Sequence, residues 1–197
     1  MDTPPANRSV RAGVTTGDAE LGEAMVAYQQ GSMEAFETLY RGLGSALRGY
    51  LRALARDTAM ADDLLQETFL QLHRVRRTYQ PPRPVRPWVY AIARNVFLMH
   101  RRATTRRGRH EVLADDVLPD VPVPPEIEAL GARDAVQKAL AALPEARREP
   151  LVLHHMLGMS FKEVAAVLGI TEGAAKVRAH RALADVREAM GVTRGDP

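Results

Sequence analysis

The sequence of 197 residues contains no cysteine, which excludes a disulfide framework and any thiolate metal site. No apolar run approaches the roughly 20 residues needed to span a bilayer, and the N-terminus lacks the apolar core of a secretory signal peptide. The hydrophobic content of 46% is sufficient for packed cores. We therefore expect a soluble protein in the reducing cytoplasm.

Acidic residues are missing from one long stretch. Positions 68–110 contain eleven arginines and no Asp or Glu, whereas positions 111–149 contain nine carboxylates and only four basic residues. Such asymmetry predicts that the basic stretch forms a positive surface that binds a polyanion. The acidic stretch that follows would be repelled by the same polyanion. A merely solvated charge run is the alternative, but Trp88, Tyr90 and Phe97 within the basic stretch favour a folded surface.

Apolar residues recur at helical spacing, which predicts an all-α fold of two small domains. We expect a disordered leader at 1–17, a helical domain at 18–110, a flexible, acidic, proline-rich linker at 111–125, a helix-turn-helix domain at 126–191 and a tail at 192–197. Within the first domain, Thr58 is predicted to cap the third helix and Trp88 to open the fourth.

A helix-turn-helix unit is predicted within residues 157–190. Ser160 and Glu163 have the spacing of a capping box, Gly169 provides a left-handed helix end, and Thr171 caps the next helix two residues later. Two short helices joined by so tight a turn must cross steeply, as DNA-binding helix pairs do. A plain helical hairpin inside a bundle is the alternative.

The predicted third helix has an acidic outer face. Leu64, Leu65, Phe69 and Leu72 point inward at helical spacing, whereas Asp62, Asp63, Gln66 and Glu67 cluster outside. This face is either a docking surface for a basic partner or an ordinary solvated face. A carboxylate metal site is disfavoured because no histidine or third acid stands at ligand spacing.

A proline-rich segment, YQPPRPVRPW, leads into the fourth helix and predicts a stiff, ordered loop. Aromatic and amide side chains beside arginines suit unpaired nucleotides, because bases stack on rings while cations attract the backbone. Trp88 is accordingly either a stacking platform or a core residue.

Three motifs in this order resemble a bacterial RNA polymerase sigma factor of the extracytoplasmic-function (ECF) type. DDLLQETFLQLHR is similar to the family's polymerase-docking helix, and RPWVYAIARNVFLMHRR to its promoter-melting and −10 recognition helix. LPEARREPLVLHHMLGMSFKEVAAVLGITEGAAKVRAHRAL is similar to its −35 recognition domain. The resemblance extends over about residues 25–190.

The resemblance implies a role for each matching residue. Contacts with core RNA polymerase are expected from Asp62, Asp63, Leu64, Gln66, Glu67 and Phe69. Contacts with the −10 element are expected from Tyr79, Arg83, Arg86, Trp88, Arg94, Asn95, His100, Arg101 and Arg102. Contacts with the −35 element are expected from Thr171, Glu172, Lys176, Val177, Arg178, His180 and Arg181.

The implied partners are core RNA polymerase, through its β′ clamp helices and β flap, promoter DNA, and an anti-sigma factor, which is frequently membrane-bound in this family. No catalytic residue, metal or cofactor is expected. Met99, Ala174 and Val177 depart from the family's usual residues, which leaves the recognised promoter sequence open. The alternative function is that of a conventional dimeric helix-turn-helix regulator on a palindrome. A third class, a metal-dependent or hydrolytic enzyme, would need a clustered set of ligands or a nucleophile.

Overall fold

The computed structural model describes residues 17–55, 57–106 and 133–191, and the following account concerns these residues. Their regular structure is entirely helical, which confirms the all-α prediction. The predicted linker at 111–125, the tail at 192–197 and the leader except for Gly17 lie outside the described residues. No helix in the described part of the chain is long and apolar enough to cross a membrane.

Four helices build the N-terminal domain: α1 (Asp18–Gln29), α2 (Met33–Ala55), α3 (Thr58–Val75) and α4 (Val85–Arg106). A single 3-10 turn, Arg76–Thr78, follows α3 and leads into the proline-rich loop, in which the Pro81–Pro82 peptide is cis. The four helices enclose an apolar core whose fully buried members include Leu21, Leu39, Leu43, Leu47, Leu51, Leu72 and Val89.

Two predicted helix starts in this domain were wrong. The cap of α3 is Asp57, whose side chain accepts a hydrogen bond from the Met60 amide at 3.0 Å, and Thr58 lies inside the first turn. The fourth helix begins at Val85, three residues before Trp88. Pro87 is compatible with this earlier start, because backbone amides in the first turn of a helix have no intrahelical acceptor and a proline there removes no helical hydrogen bond.

The C-terminal domain contains α5 (Arg133–Ala142), α6 (Glu145–Leu151), α7 (Phe161–Leu168) and α8 (Glu172–Ala189). A five-residue π-helix, Val152–Met156, continues α6. The change from α to π geometry comes at Val152, two residues after Pro150, which cannot donate a backbone hydrogen bond.

The helix-turn-helix prediction is confirmed by α7 and α8. Ser160 and Glu163 form both hydrogen bonds of the capping box, and Gly169 ends α7 with a φ of 66°. Thr171 caps α8 by accepting a hydrogen bond from the Ala174 amide at 3.2 Å. Local hydrogen bonds therefore determine both ends of the turn.

The two domains pack against each other. α4 contacts α7, and a single apolar cluster contains core residues of the N-terminal domain together with Val164 and Leu168 of α7. A second cluster lies within the C-terminal domain, where Val136 and Leu140 of α5 pack with Ala182 and Val186 of α8. The basic surface of α4 is consequently adjacent to the helix-turn-helix.

Candidate nucleic-acid and polymerase interfaces

The outer face of α3 carries the predicted acidic cluster. Asp63 and Gln66 are exposed, whereas Asp62 and Glu67 are half-buried. Asp62 forms a two-pronged ion pair with Arg48 of α2, with N–O distances of 2.5 and 2.6 Å, and this hydrogen-bonded guanidinium lowers the pKa of Asp62. Arg48 thus balances one of the acidic charges, and Asp63 is the most accessible carboxylate of the cluster.

The apolar residues predicted for this interface, Leu64 and Phe69, are instead core residues. Their exposures are 3% and 5%, and Phe69 packs edge-on against Phe36 with ring centroids 5.9 Å apart. They lie on the inner stripe of the helix, beneath the surface that a partner would touch. The exposed apolar residue on the acidic face is Leu70, at 53%. Its spacing of seven residues from Asp63 places both on one helical face.

The loop before α4 is built around Tyr79. Its ring is buried, lies 5.4 Å from the Trp88 ring, and its hydroxyl donates to the Arg83 carbonyl at 2.5 Å. Burial raises the pKa of the Tyr79 hydroxyl. Tyr79 therefore shapes the loop from within, while Arg83 is exposed and Trp88 half-buried.

The predicted nucleic-acid face of α4 is only partly free in this arrangement. Asn95, His100 and Arg102 are exposed. Arg94 donates through Nε to both oxygens of Glu149 in α6, at 3.0 and 3.2 Å. The exposed Arg101 likewise donates to the carboxylate of Glu145. Two of the predicted −10 arginines are therefore held by the C-terminal domain.

Glu149 is the centre of this contact and was not foreseen from the sequence. It is 4% exposed and also accepts a hydrogen bond from the Tyr50 hydroxyl at 3.1 Å. Burial raises its pKa despite the opposing influence of Arg94 and Tyr50. The partners stand 99 and 55 residues away in the chain, so no local pattern could have revealed the cluster.

A second buried group, Arg148, joins the same contact. It donates to the carbonyls of Leu140 and Leu143 near the end of α5, and across the domain boundary to the carbonyl of Ala53 at 3.1 Å. Carbonyls at helix ends lack intrahelical donors, so this arginine satisfies groups of both domains. The domain contact is therefore polar at its centre as well as apolar around it.

The predicted −35 residues all lie on the outer surface of α8 or at its start. The exposed members are Thr171, Glu172, Lys176, Val177, Arg178, His180 and Arg181. On the opposite side, Ala175 and Ala179 are fully buried, and such small side chains let α8 lie close to the helices beneath it. The basic face of α8 is thus accessible from solvent along its length.

Within the described residues, no group of three or more histidine, aspartate or glutamate side chains is arranged to hold a metal ion. The candidate functional surfaces in this part of the chain are instead one acidic face with an exposed leucine, on α3, and two basic faces, on α4 and α8.

Comparison with known proteins identifies the family. The models for sigma-70 region 2 and sigma-70 region 4 match residues 39–107 and 133–186. RNA polymerase sigma factor CarQ of Myxococcus xanthus is 34% identical over 170 residues, which cover 85% of this chain and 95% of CarQ. ECF RNA polymerase sigma factor SigF of Caulobacter vibrioides is 33% identical over 184 residues, which cover 90% of this chain and 97% of SigF. The chain is a sigma factor of the ECF family. As such it directs core RNA polymerase to specific promoters.

Solved structures agree with this assignment. The sigma factor RpoE, in complex with the anti-sigma factor NepR from Bartonella quintana, gives a TM-score of 0.69 at 25% identity, over 82% of this chain and all of that one. CnrH, in complex with the cytosolic domain of CnrY, gives 0.65 at 25% identity, over 87% and 97%. The sigma factor described here thus shares both fold and domain content with these proteins.

Proposed function

We propose that this sigma factor docks on core polymerase through α3, recognises and melts the −10 element through α4 and its preceding loop, and binds the −35 element through α8. The observation that supports this division is the separation of one acidic surface and two basic surfaces on three different helices. Each surface has the charge that its partner requires, since DNA is a polyanion and the docking partner must complement carboxylates. The two DNA-facing surfaces belong to different domains.

For docking, we assign Asp63, Gln66 and Glu67 to the polar rim and Leu70 to the apolar centre of a contact with the β′ clamp helices. An apolar anchor surrounded by polar groups is the usual anatomy of a specific interface. Asp62 contributes through its pair with Arg48. Leu64 and Phe69 support this surface from inside the core.

For the −10 element, we assign nucleotide contacts to Arg83, Trp88, Asn95, His100 and Arg102, with Tyr79 holding the loop in shape. An unstacked base would be captured in this loop, which offsets the few kcal/mol that unpairing costs. Arg86, Arg94 and Arg101 would contribute positive charge along the same helix.

The Arg94 guanidinium cannot bind DNA while it is paired with Glu149. We therefore infer that the domain contact opens when the sigma factor joins polymerase and promoter. The buried Tyr50, Glu149 and Arg148 would then become accessible to solvent. The closed arrangement would keep the free protein from binding promoters strongly.

For the −35 element, we assign phosphate and base contacts to Lys176, Arg178 and Arg181, with Val177 toward a thymine methyl. Thr171 and Glu172 lie at the helix start, and His180 completes the basic face. Loss of one phosphate-neutralising lysine should lower the slope of log affinity against log salt by about 1.

The remaining assignments follow from the family. We place the protein in the cytoplasm with its polymerase, and we propose that catalysis belongs to the polymerase and not to this subunit. An anti-sigma factor is a further proposed partner, since RpoE and CnrH were both solved with protein partners and NepR is an anti-sigma factor.

Charge reversal on α3 tests the docking surface. The double variant Asp63→Lys and Glu67→Lys should bind core polymerase at least tenfold more weakly, as expected for like-charge contacts at an interface. The matched control is the double variant Glu20→Lys and Glu23→Lys, which makes the same change in net charge at two exposed positions of α1 and should bind normally. Circular dichroism should be unchanged in both. Wild-type affinity in the double variant would remove these residues from the interface.

A further inference from the structure

Helix α1 precedes the part of the chain that matches sigma-70 region 2, which begins at residue 39. It contributes no residue to the proposed polymerase or DNA surfaces. Its buried side, with Leu21 and Met25, packs into the N-terminal core. Its polar residues make a different set of contacts, and these converge on the loop between α3 and α4.

Gln29, the last residue of α1, holds the beginning of that loop. Its Nε2 donates to the carbonyl of Arg76 at 2.7 Å and to the carbonyl of Tyr79 at 2.9 Å. A primary amide has two donor hydrogens, and here both are used on backbone groups. One side chain thus joins the 3-10 turn to the first residue of the loop.

Neighbouring contacts hold the same side of the loop. The Tyr28 hydroxyl lies 2.6 Å from Nδ1 of His73 at the end of α3. The Arg76 guanidinium lies over the Tyr28 ring, 5.7 Å from its centroid, a distance at which a cation is attracted to an aromatic face.

The other end of α1 is fastened to the far side of the loop. Asp18, in the first turn of α1, forms an ion pair with Arg86 at 2.7 Å. Arg86 is the second residue of α4. Residues 79–84 are therefore bracketed by α1, with Asp18 at one edge and Gln29 at the other.

We propose that α1 is a positioning element for the base-capturing loop and that Gln29 is its principal positioning residue. This inference rests on the proposed −10 role of the loop. A preformed loop binds an unstacked base without first having to be ordered, and preorganisation of this kind improves binding without any new contact to the ligand. Gln29 acts through the Arg76 and Tyr79 carbonyls and touches no DNA.

The intrinsic fluorescence of Trp88 can report the order of this loop. Trp88 is the only tryptophan, and its ring lies 5.4 Å from that of Tyr79, whose carbonyl Gln29 holds. Acrylamide quenching of Trp88 fluorescence consequently measures the order of the loop in the full-length protein, independently of any promoter. The rate of promoter opening by holoenzyme measures the functional consequence.

Gln29→Ala removes both hydrogen bonds, and Gln29→Glu keeps the side-chain volume but replaces the donating amide by an acceptor. Both variants should make Trp88 more accessible to acrylamide and slow promoter opening roughly tenfold, as expected for two lost hydrogen bonds. Core-polymerase affinity should stay within about twofold. The matched control is Gln30→Ala, an exposed neighbour, which should leave all three measurements at wild-type values.

Unchanged Trp88 accessibility in both Gln29 variants would overturn the proposal. A changed Trp88 signal with wild-type opening would also overturn it, because α1 would then shape the loop without consequence for melting. If wild-type holoenzyme opened no promoter, the proposed function would fail, and the fluorescence measurement would still decide whether α1 orders the loop. Circular dichroism and core binding show that each variant is folded.

Discussion

Replacing Glu149 by alanine should shift the two domains toward an open arrangement. The substitution removes the carboxylate that accepts hydrogen bonds from Arg94 and Tyr50, while both donors stay in place. Removing one partner of a buried ion pair costs about 3–5 kcal/mol. Arg94 keeps 22% of its side-chain surface exposed, so water recovers part of that loss, and we expect about 2–3 kcal/mol against closure.

This change corresponds to a shift of roughly 30- to 150-fold in the equilibrium between closed and open forms. Because the chain has no cysteine, two dyes can be attached at introduced cysteines, for example Glu23→Cys in α1 and Glu188→Cys in α8. Both positions are exposed and lie in different domains. Energy transfer between the dyes then reports the fraction of molecules in which the domains are in contact.

Glu145→Ala is the matched control, since Glu145 pairs with the half-exposed Arg101 at the rim of the same contact. Exposed ion pairs contribute about 0–1 kcal/mol, so this variant should change the equilibrium by less than about fivefold. Equal effects of the two variants, or no change in energy transfer for Glu149→Ala, would refute the view that the buried cluster holds the domains together.

Four further outcomes are expected. Burial raises the pKa of Glu149 above its ordinary value of 4.5, so closure should be most favourable below that pH and should weaken as pH rises through the raised pKa, although the ionised carboxylate still pairs with Arg94. Glu149→Gln should abolish this pH dependence of energy transfer. Gly169→Ala should destabilise the C-terminal domain by about 1 kcal/mol in hydrogen exchange, because its φ of 66° disfavours a β-carbon. Ser160→Ala should lower the stability of the C-terminal domain by about 1 kcal/mol in the same experiment, because the capping box is lost. Wild-type hydrogen exchange in the Gly169 and Ser160 variants would contradict these two expectations. Leu70→Asp should weaken core-polymerase binding without lowering the melting temperature, because Leu70 is exposed. Phe69→Asp should unfold the N-terminal domain, because Phe69 is buried. Similar melting curves for the two variants would contradict this difference in exposure.

Features set by neighbours in the sequence could be predicted closely. The turn between α7 and α8 depends on Ser160, Glu163, Gly169 and Thr171, and each of the hydrogen bonds that these residues make there spans at most four positions of the chain. The all-α class and the family also followed from the sequence, because helical spacing and three ordered motifs are linear features. The start of α3 was misplaced by one residue because an aspartate stands directly before the threonine and also makes an effective cap.

Features that depend on tertiary contacts could not be predicted in this way. The contact of Glu149 with Arg94 joins helices of different domains, and helical periodicity gives no information about which helices meet. The sequence predicts polymerase contacts for Leu64 and Phe69, and their burial beneath the acidic face, with Leu70 exposed beside it, follows from how α3 packs on α2. The contacts of α1 with the loop join residues 47 to 68 positions apart in the chain, so they depend on how the helices pack and no sequence pattern indicates them.

Core-dependent initiation tests the central claim most directly. Core polymerase should be incubated with genomic fragments of the host, with and without the purified protein, and the 5′ ends of the transcripts mapped. We predict defined start sites that require both components and share elements near −10 and −35, together with weak binding of the free monomeric protein to the same duplexes. Absence of such start sites, combined with tight dimeric binding of the protein alone to a palindrome, would contradict the assignment and favour a conventional helix-turn-helix regulator.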